Sequence, residues 1–200
     1  ELEKVKQNAW NLVGSSYREV VKFNTQYQSI QLNEIIEELK LKNTISAPVW
    51  SVTNNKGFVP TEKQFKNQVA SNNTKNYKLV LPEAFAYNPA RINVGSIAYN
   101  STNGTGCVSP MYIVLKIIDE SKLHPEFFNL LLKTAYLHSQ IELMAYGSIR
   151  QTLSFKDLCK IIIPLPLIEE QQKIVNEHKM IESQKEIISY FEAKVRDKLN

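Results

Sequence analysis

The sequence has little of what catalytic and metal sites are made from. Three histidines and two cysteines occur in 200 residues. His124, His138 and His178 are scattered, and the last two fall on helical patterns, where they read as surface or seam residues. Cys107 and Cys159 match no metal-ligand or redox spacing. They are expected to be free thiols, buried or idle, in a reducing compartment. Glycine numbers only six. None forms a glycine-rich loop behind a strand, the usual means of holding a methyl donor or a nucleotide phosphate. No apolar run approaches a membrane span and no secretory signal is visible, so a cytoplasmic chain without a membrane partner is expected. No nucleophile is paired with a base.

Two fragments come near to enzyme motifs. Asn88-Pro89-Ala90-Arg91 is similar to the Asn-Pro-Pro-aromatic motif of amino-methyltransferases. That chemistry stacks an aromatic ring on a flipped base, and Arg91 stands where the ring belongs. Glu38-Leu39-Lys40 and Glu192-Ala193-Lys194 match half of a nuclease motif, without the Pro-Asp it needs. Both lie on helical patterns, where such pairs usually solvate a face. A methyltransferase or nuclease in its own right therefore stands as the rival reading. A second rival is an assembly adaptor that binds partners through its C-terminal helix.

What is present is a globular composition, 43% apolar and 22% charged. The length suffices for one domain with a core, plus an appendage. The net charge is only +4, but it is unevenly spread. Lys40 to Thr105 holds eight basic and two acidic residues, a net +6, against −2 for the rest. A basic segment in a balanced chain suggests an anionic partner on one face. By charge alone, a solvated lysine-rich surface would look the same.

Glu1 to Val13 has helical spacing and stops at Gly14, and Ser15 or Ser16 caps a short helix through Val21. Asn24 to Ser29 is polar and reads as a linker. Asn33 is placed to cap a helix carrying Ile35, Ile36 and Leu39. Strands are expected at Val49–Thr53, Tyr77–Leu81, Phe85–Tyr87, Ile97–Tyr99 and Met111–Ile118, the last central in a sheet. Asn54 to Gly57 is a turn; Asn103-Gly104 is another, in a loop that Gly106 extends. Phe65 and Val69 have helical spacing within the polar stretch Thr61 to Lys75. One long core helix is expected from Pro125 to a stop at Gly147. Ser154 and Asp157 form a capping box for a short helix. A three-isoleucine strand, Ile161 to Ile163, then halts at Pro164 and Pro166, and a long polar helix begins near Ile168. In it Ile174, Ile181, Ile188 and Val195 recur every seven residues, with Phe191 widening the stripe: a coiled-coil-like seam that expects a partner helix. Glu177, Gln184 and Lys198 make it imperfect.

Recognition chemistry gathers on loops. Asn54, Asn55 and Lys56 share one turn. Lys63, Lys66, Asn72, Asn73 and Lys75 follow in the polar stretch. Asn100, Ser101, Thr102 and Asn103 form a third loop, and Ser148, Arg150 and Gln151 a fourth, directly after the helix stop. Arg91 is a further basic candidate. Lysine and arginine attract phosphate; asparagine and glutamine pair with adenine in the major groove, and arginine or lysine with guanine. A low-GC coding bias would also inflate asparagine and lysine, and Arg150 would serve equally in an internal salt bridge.

Five motifs occur in order. They are Val52-Thr53-x-x-x-Gly57; Phe85-x-Tyr87-Asn88-Pro89-x-x-Ile92-x-x-Gly95-Ser96-Ile97-Ala98; Gly106-Cys107-Val108-Ser109-Pro110-x-Tyr112; Gly147-x-x-Arg150-x-x-Leu153; and the Ile-Ile-Ile-Pro-x-Pro strand with Glu170-Gln171-Gln172-x-Ile174-Val175. From about Ile30 to Asn200 the chain resembles the DNA-specificity subunit of type I restriction–modification enzymes, with the last two motifs similar to the end of a target recognition domain and the start of a conserved helix. The resemblance implies an α/β (α+β) fold, a mixed-sheet recognition domain followed by a long spacer helix. With the boundary placed in the polar linker, the divisions are an N-terminal helical linker at 1–28, the recognition domain at 29–166 and the helix at 167–200. It implies sequence-specific binding of double-stranded DNA and no catalysis. S-adenosylmethionine and magnesium would enter only through methyltransferase and restriction subunits or domains. A full subunit has two such domains and two helices. This chain, with one of each, is expected to be a half-subunit, a homodimer or a piece of a fused enzyme.

Overall fold

Strand β9 (Ile113–Ile117) lies inside a four-stranded antiparallel sheet, as its apolar run requires. The computed structural model describes residues 26–54, 56–61, 73–146 and 152–199. The expected helices before Val21 lie outside them, as do most of the stretch from Thr61 to Lys75 and the stop at Gly147.

The sheet runs β2 (Ile36–Leu39), β9, β6 (Phe85–Tyr87), β7 (Ile97–Tyr99). Side-chain alternation gives it two distinct faces. Phe85, Tyr87, Leu115 and Ile117 point to a large core shared with helices α1 (Pro125–Leu131), α2 (Ala135–Tyr146) and α3 (Phe155–Leu158). Phe85 meets Phe128 edge-on at 5.2 Å. The other face is small: Ala84, Ala86, Ala98 and Val114. Short side chains there let two ribbons pack against the sheet through Val52, Val80 and Val108. These ribbons are β3 (Trp50–Thr53) with β4 (Gly57–Pro60), and β5 (Lys78–Val80) with β8 (Gly106–Val108). A third ribbon pairs β1 (Gln28–Gln31) with β10 (Ile162–Leu165), next to the start of α4 (Ile168–Leu199). The alpha+beta reading holds.

Several local expectations change. Ile36–Leu39 is an edge strand, not a helix. Its helix-like Ile-Glu-Glu-Leu pattern is overridden by pairing with β9, where Glu37 opposes Lys116 at 3.1 Å. β1 begins within the expected linker. Gly106 opens a strand rather than extending a loop. The core helix is broken before Ala135, because the Thr134 hydroxyl takes over capping. It donates to Leu131 O at 2.7 Å and accepts from Leu137 N at 3.3 Å. β10 runs through Pro164, tolerated because each strand of a two-stranded ribbon has a free edge. Ser154 does cap α3: its Oγ accepts from Asp157 N at 3.1 Å and donates to the Asp157 carboxylate at 2.6 Å.

Candidate nucleic-acid interface

The β3–β4 turn is held by its own hydrogen bonds. Thr53 Oγ1 accepts from Lys56 N at 3.1 Å and donates to Gly57 O at 3.0 Å. Gly57 takes φ +64°, a left-handed conformation suited to glycine. Asn54 Nδ2 donates to Val94 O at 2.5 Å, pinning the turn to the 3-10 helix Ile92–Val94. Asn54 and Lys56 are exposed.

A cleft lies on each side of this turn, and Asn54 lines both. The first, about 460 Å³, lies between β3, the Arg91 loop and the segment leading into β9. Trp50, Asn88, Arg91, Ser96, Ser109 and Tyr112 are among its lining residues. The Arg91 loop is held by its own backbone. Asn88 N donates to Ser96 O at 3.0 Å, Ser96 N to Arg91 O at 3.1 Å, and Leu153 N to Pro89 O at 3.0 Å. Asn88 Oδ1 accepts from Ala90 N at 3.0 Å. Asn88-Pro89-Ala90-Arg91 thus shapes a loop that carries Arg91, exposed, at the cleft.

The second cleft, about 360 Å³, lies between the turn, β7, α1 and α4. Lys56, Ser101, Lys133, His178 and Lys179 line it. Its carboxylate, Glu126, is paired with Lys179 at 2.5 Å. Tyr99, also on its wall, has its phenol pushed up to about 12 by burial, so it is neutral at physiological pH.

The structure separates the sequence candidates. Asn54, Lys56, Arg91 and Ser101 line the two clefts. Thr102 and Asn103 are exposed beside Ser101, whereas Asn100 is only 2% exposed and organises their loop. Its Nδ2 donates to Leu81 O and Gly104 O, each at 2.9 Å, and its Oδ1 accepts from Thr102 N and Oγ1. Asn100 is therefore corrected from a surface contact to a loop brace. Asn73 and Lys75 are exposed on the approach to β5 and line neither cleft. Asn55, Lys63, Lys66, Asn72, Ser148, Arg150 and Gln151 lie outside the described residues. Trp50, Asn88, Ser96 and Tyr112 were not among the candidates. Asn88 entered the sequence reading in a failed enzyme motif and, like Ser96 and Tyr112, in the family motifs, not as a contact residue. Among the described residues, no group of three or more His, Cys, Asp or Glu side chains is placed to hold a metal.

Helix α4 is fastened to the body at its start. Gln171 is fully buried. Its Oε1 accepts from His124 N at 2.9 Å, and its Nε2 donates to Lys122 O and Pro166 O, each at 2.8 Å. The Tyr27 hydroxyl donates to Glu170 Oε1 at 2.6 Å. Ile174 is half-buried, but Ile181, Ile188, Phe191 and Val195 are 51 to 59% exposed. Met180 and Ile187 lie beside that row, also exposed. No helix among the described residues is long and apolar enough to cross a membrane.

Comparison with known proteins gives consistent matches. The family model described as the type I restriction modification DNA specificity domain matches residues 24–188. A solved chain from a type I R-M system, described for complex assembly and conformational transition, is 18% identical with a TM-score of 0.57. The match covers 96% of this chain and 47% of that one. The HsdS subunit from Thermoanaerobacter tengcongensis is 18% identical with a TM-score of 0.50, over 82% of this chain and 39% of that one. The chain thus spans less than half the length of either. No curated protein matches it by sequence.

Proposed function

The chain belongs to the family of type I restriction modification DNA specificity domains, and from that premise we infer that its globular body reads a short sequence in double-stranded DNA. It is the non-catalytic recognition part of a restriction–modification system. The observation that carries the reading is the β3–β4 turn. It stands exposed between two clefts, with Arg91 lining one and Lys56 and Lys133 the other. An exposed turn with cationic flanks suits a groove bordered by two phosphate backbones. Residues 29–166 form the reading body and residues 167–200 the helix that serves assembly. The exposed row Ile181, Ile188 and Val195 supports a mate for that helix. The mate is a second such helix, from another recognition domain or a second copy of this chain. Methyltransferase and restriction subunits or domains dock on that platform and bring S-adenosylmethionine and magnesium. The chain works in the cytoplasm, where the DNA is.

Selection of randomised duplexes by gel shift, with sequencing of the bound fraction, tests this. One enriched short sequence is expected, with affinity falling steeply as salt rises. Equal binding to scrambled duplexes, or binding insensitive to salt, would sink it.

A further inference from the structure

We propose that the first cleft is a phosphate subsite, holding one backbone phosphate of the bound duplex. The identity of that ligand rests on the DNA reading above; the anion chemistry does not. None of the residues lining the cleft is acidic. Arg91, exposed there, has no ion pair among the described residues. On the cleft wall Asn88 is 7% exposed and Ser96 4%. Asn88 Oδ1 is committed to Ala90 N, which leaves Nδ2, a donor only, without a partner among the described residues. Ser96 Oγ is also without one among them. No side-chain nitrogen or oxygen of a buried or half-buried described residue is both sealed from solvent and unpaired, so both groups reach solvent, and both residues line the cleft.

A cation, a free amide donor and a free hydroxyl line one cleft, and none of its described lining residues is acidic. Donors left unpaired by the fold favour a ligand rich in acceptors. The acceptor edge of guanine offers two atoms, which the arginine alone satisfies. A phosphate offers oxygens in several directions, and so uses the amide and hydroxyl as well.

The test begins without DNA. Inorganic phosphate is titrated into the full chain while the Asn88 side-chain amide and the Trp50 indole are followed by NMR. Both resonances are expected to shift. In Asn88→Asp the indole response is expected to vanish, because an oxygen replaces the free donor while the acceptor for Ala90 N is kept. If Asn88→Asp does not fold, Arg91→Gln at an exposed position carries the same test. Absence of any shift in a chain that binds duplex overturns the subsite and leaves the DNA reading standing. A shift in a chain that binds no duplex upholds the subsite and removes the DNA reading. On duplex, Arg91→Gln is expected to flatten the plot of log affinity against log salt by about 0.9, one phosphate's share. Its preference for target over scrambled sequence should be unchanged. An unaltered slope with lost preference would make Arg91 a reader of base edges and overturn the proposal.

Discussion

The indole of Trp50 lies directly on Gly106. A Cβ added at Gly106 would overlap ring atoms Cδ2, Cε2 and Cε3. Trp50 also meets Phe58 of β4 at a centroid distance of 5.3 Å. The glycine therefore lets one ribbon close against the other, and the same ring lines the first cleft.

Gly106→Ala is expected to destabilise the fold by about 1–3 kcal/mol, since a Cβ there would overlap three ring atoms and Trp50 must shift to admit it. Urea unfolding measures it. Gly104→Ala is the control. A Cβ there meets only Thr102 Oγ1, at 3.6 Å, so a change within about 0.5 kcal/mol is expected. Equal loss in both variants would mean that backbone freedom, not the Trp50 contact, sets the cost.

Gln171 sets a second expectation. Removing its side chain in Gln171→Ala leaves His124 N–H and the carbonyls of Lys122 and Pro166 without this partner. A buried polar group left unpaired costs about 1–3 kcal/mol. Melting should fall accordingly, and amide exchange should rise first in the opening turns of α4, near Val175. Exchange that rises evenly over the whole chain would remove the idea that Gln171 fastens the helix.

How far the sequence revealed this molecule depends on how local each determinant is. Phe85–Tyr87 and Ile97–Tyr99 were legible because short apolar runs are fenced by turn residues. Pro125 and Ser154 declare helix starts by their own chemistry. Ile36–Leu39 was not legible, because its partner strand lies far along the chain and decides its conformation. Nor was β4, which borrows order from β3. The site follows the same division. The turn at Asn54 is local and was seen. The cleft wall joins Asn88 and Ser96 to Trp50 and Tyr112, which only tertiary packing brings together. Asn100 misled because nothing in sequence tells an asparagine that braces a loop from one that faces outward.

Asp157 gives a pH-dependent expectation. A hydrogen bond from Lys160, then one from Ser154, holds its carboxyl below the usual aspartate value. A lowered folded pKa stabilises fully above the unfolded value of about 3.9, and the gain is lost as pH falls through the folded value. Asp157→Asn should therefore melt lower than the wild type at neutral pH, and the two curves should converge on acidification. The difference is small, because the pair is partly exposed and screened. A gap that persists well below the aspartate range would trace to the capping geometry rather than to charge.

The outer half of α4 tests the division of labour. Ile181 and Ile188 are 51% and 58% exposed, so lysine at either position meets no core. The double variant Ile181→Lys, Ile188→Lys should melt within about 0.5 kcal/mol of the wild type. It should nevertheless lose association with a partner helix, because two charges would be buried in an apolar seam. Sedimentation, alone and with methyltransferase subunit added, reads the association; gel shift reads the DNA. Affinity of the single body for duplex should hold within about threefold, under 1 kcal/mol, since the substitutions lie beyond both clefts. Loss of assembly with DNA binding kept supports a reading body and a separate assembly helix. Loss of both together would mean that the helix mate also completes the DNA surface, and the two parts could no longer be assigned separate tasks.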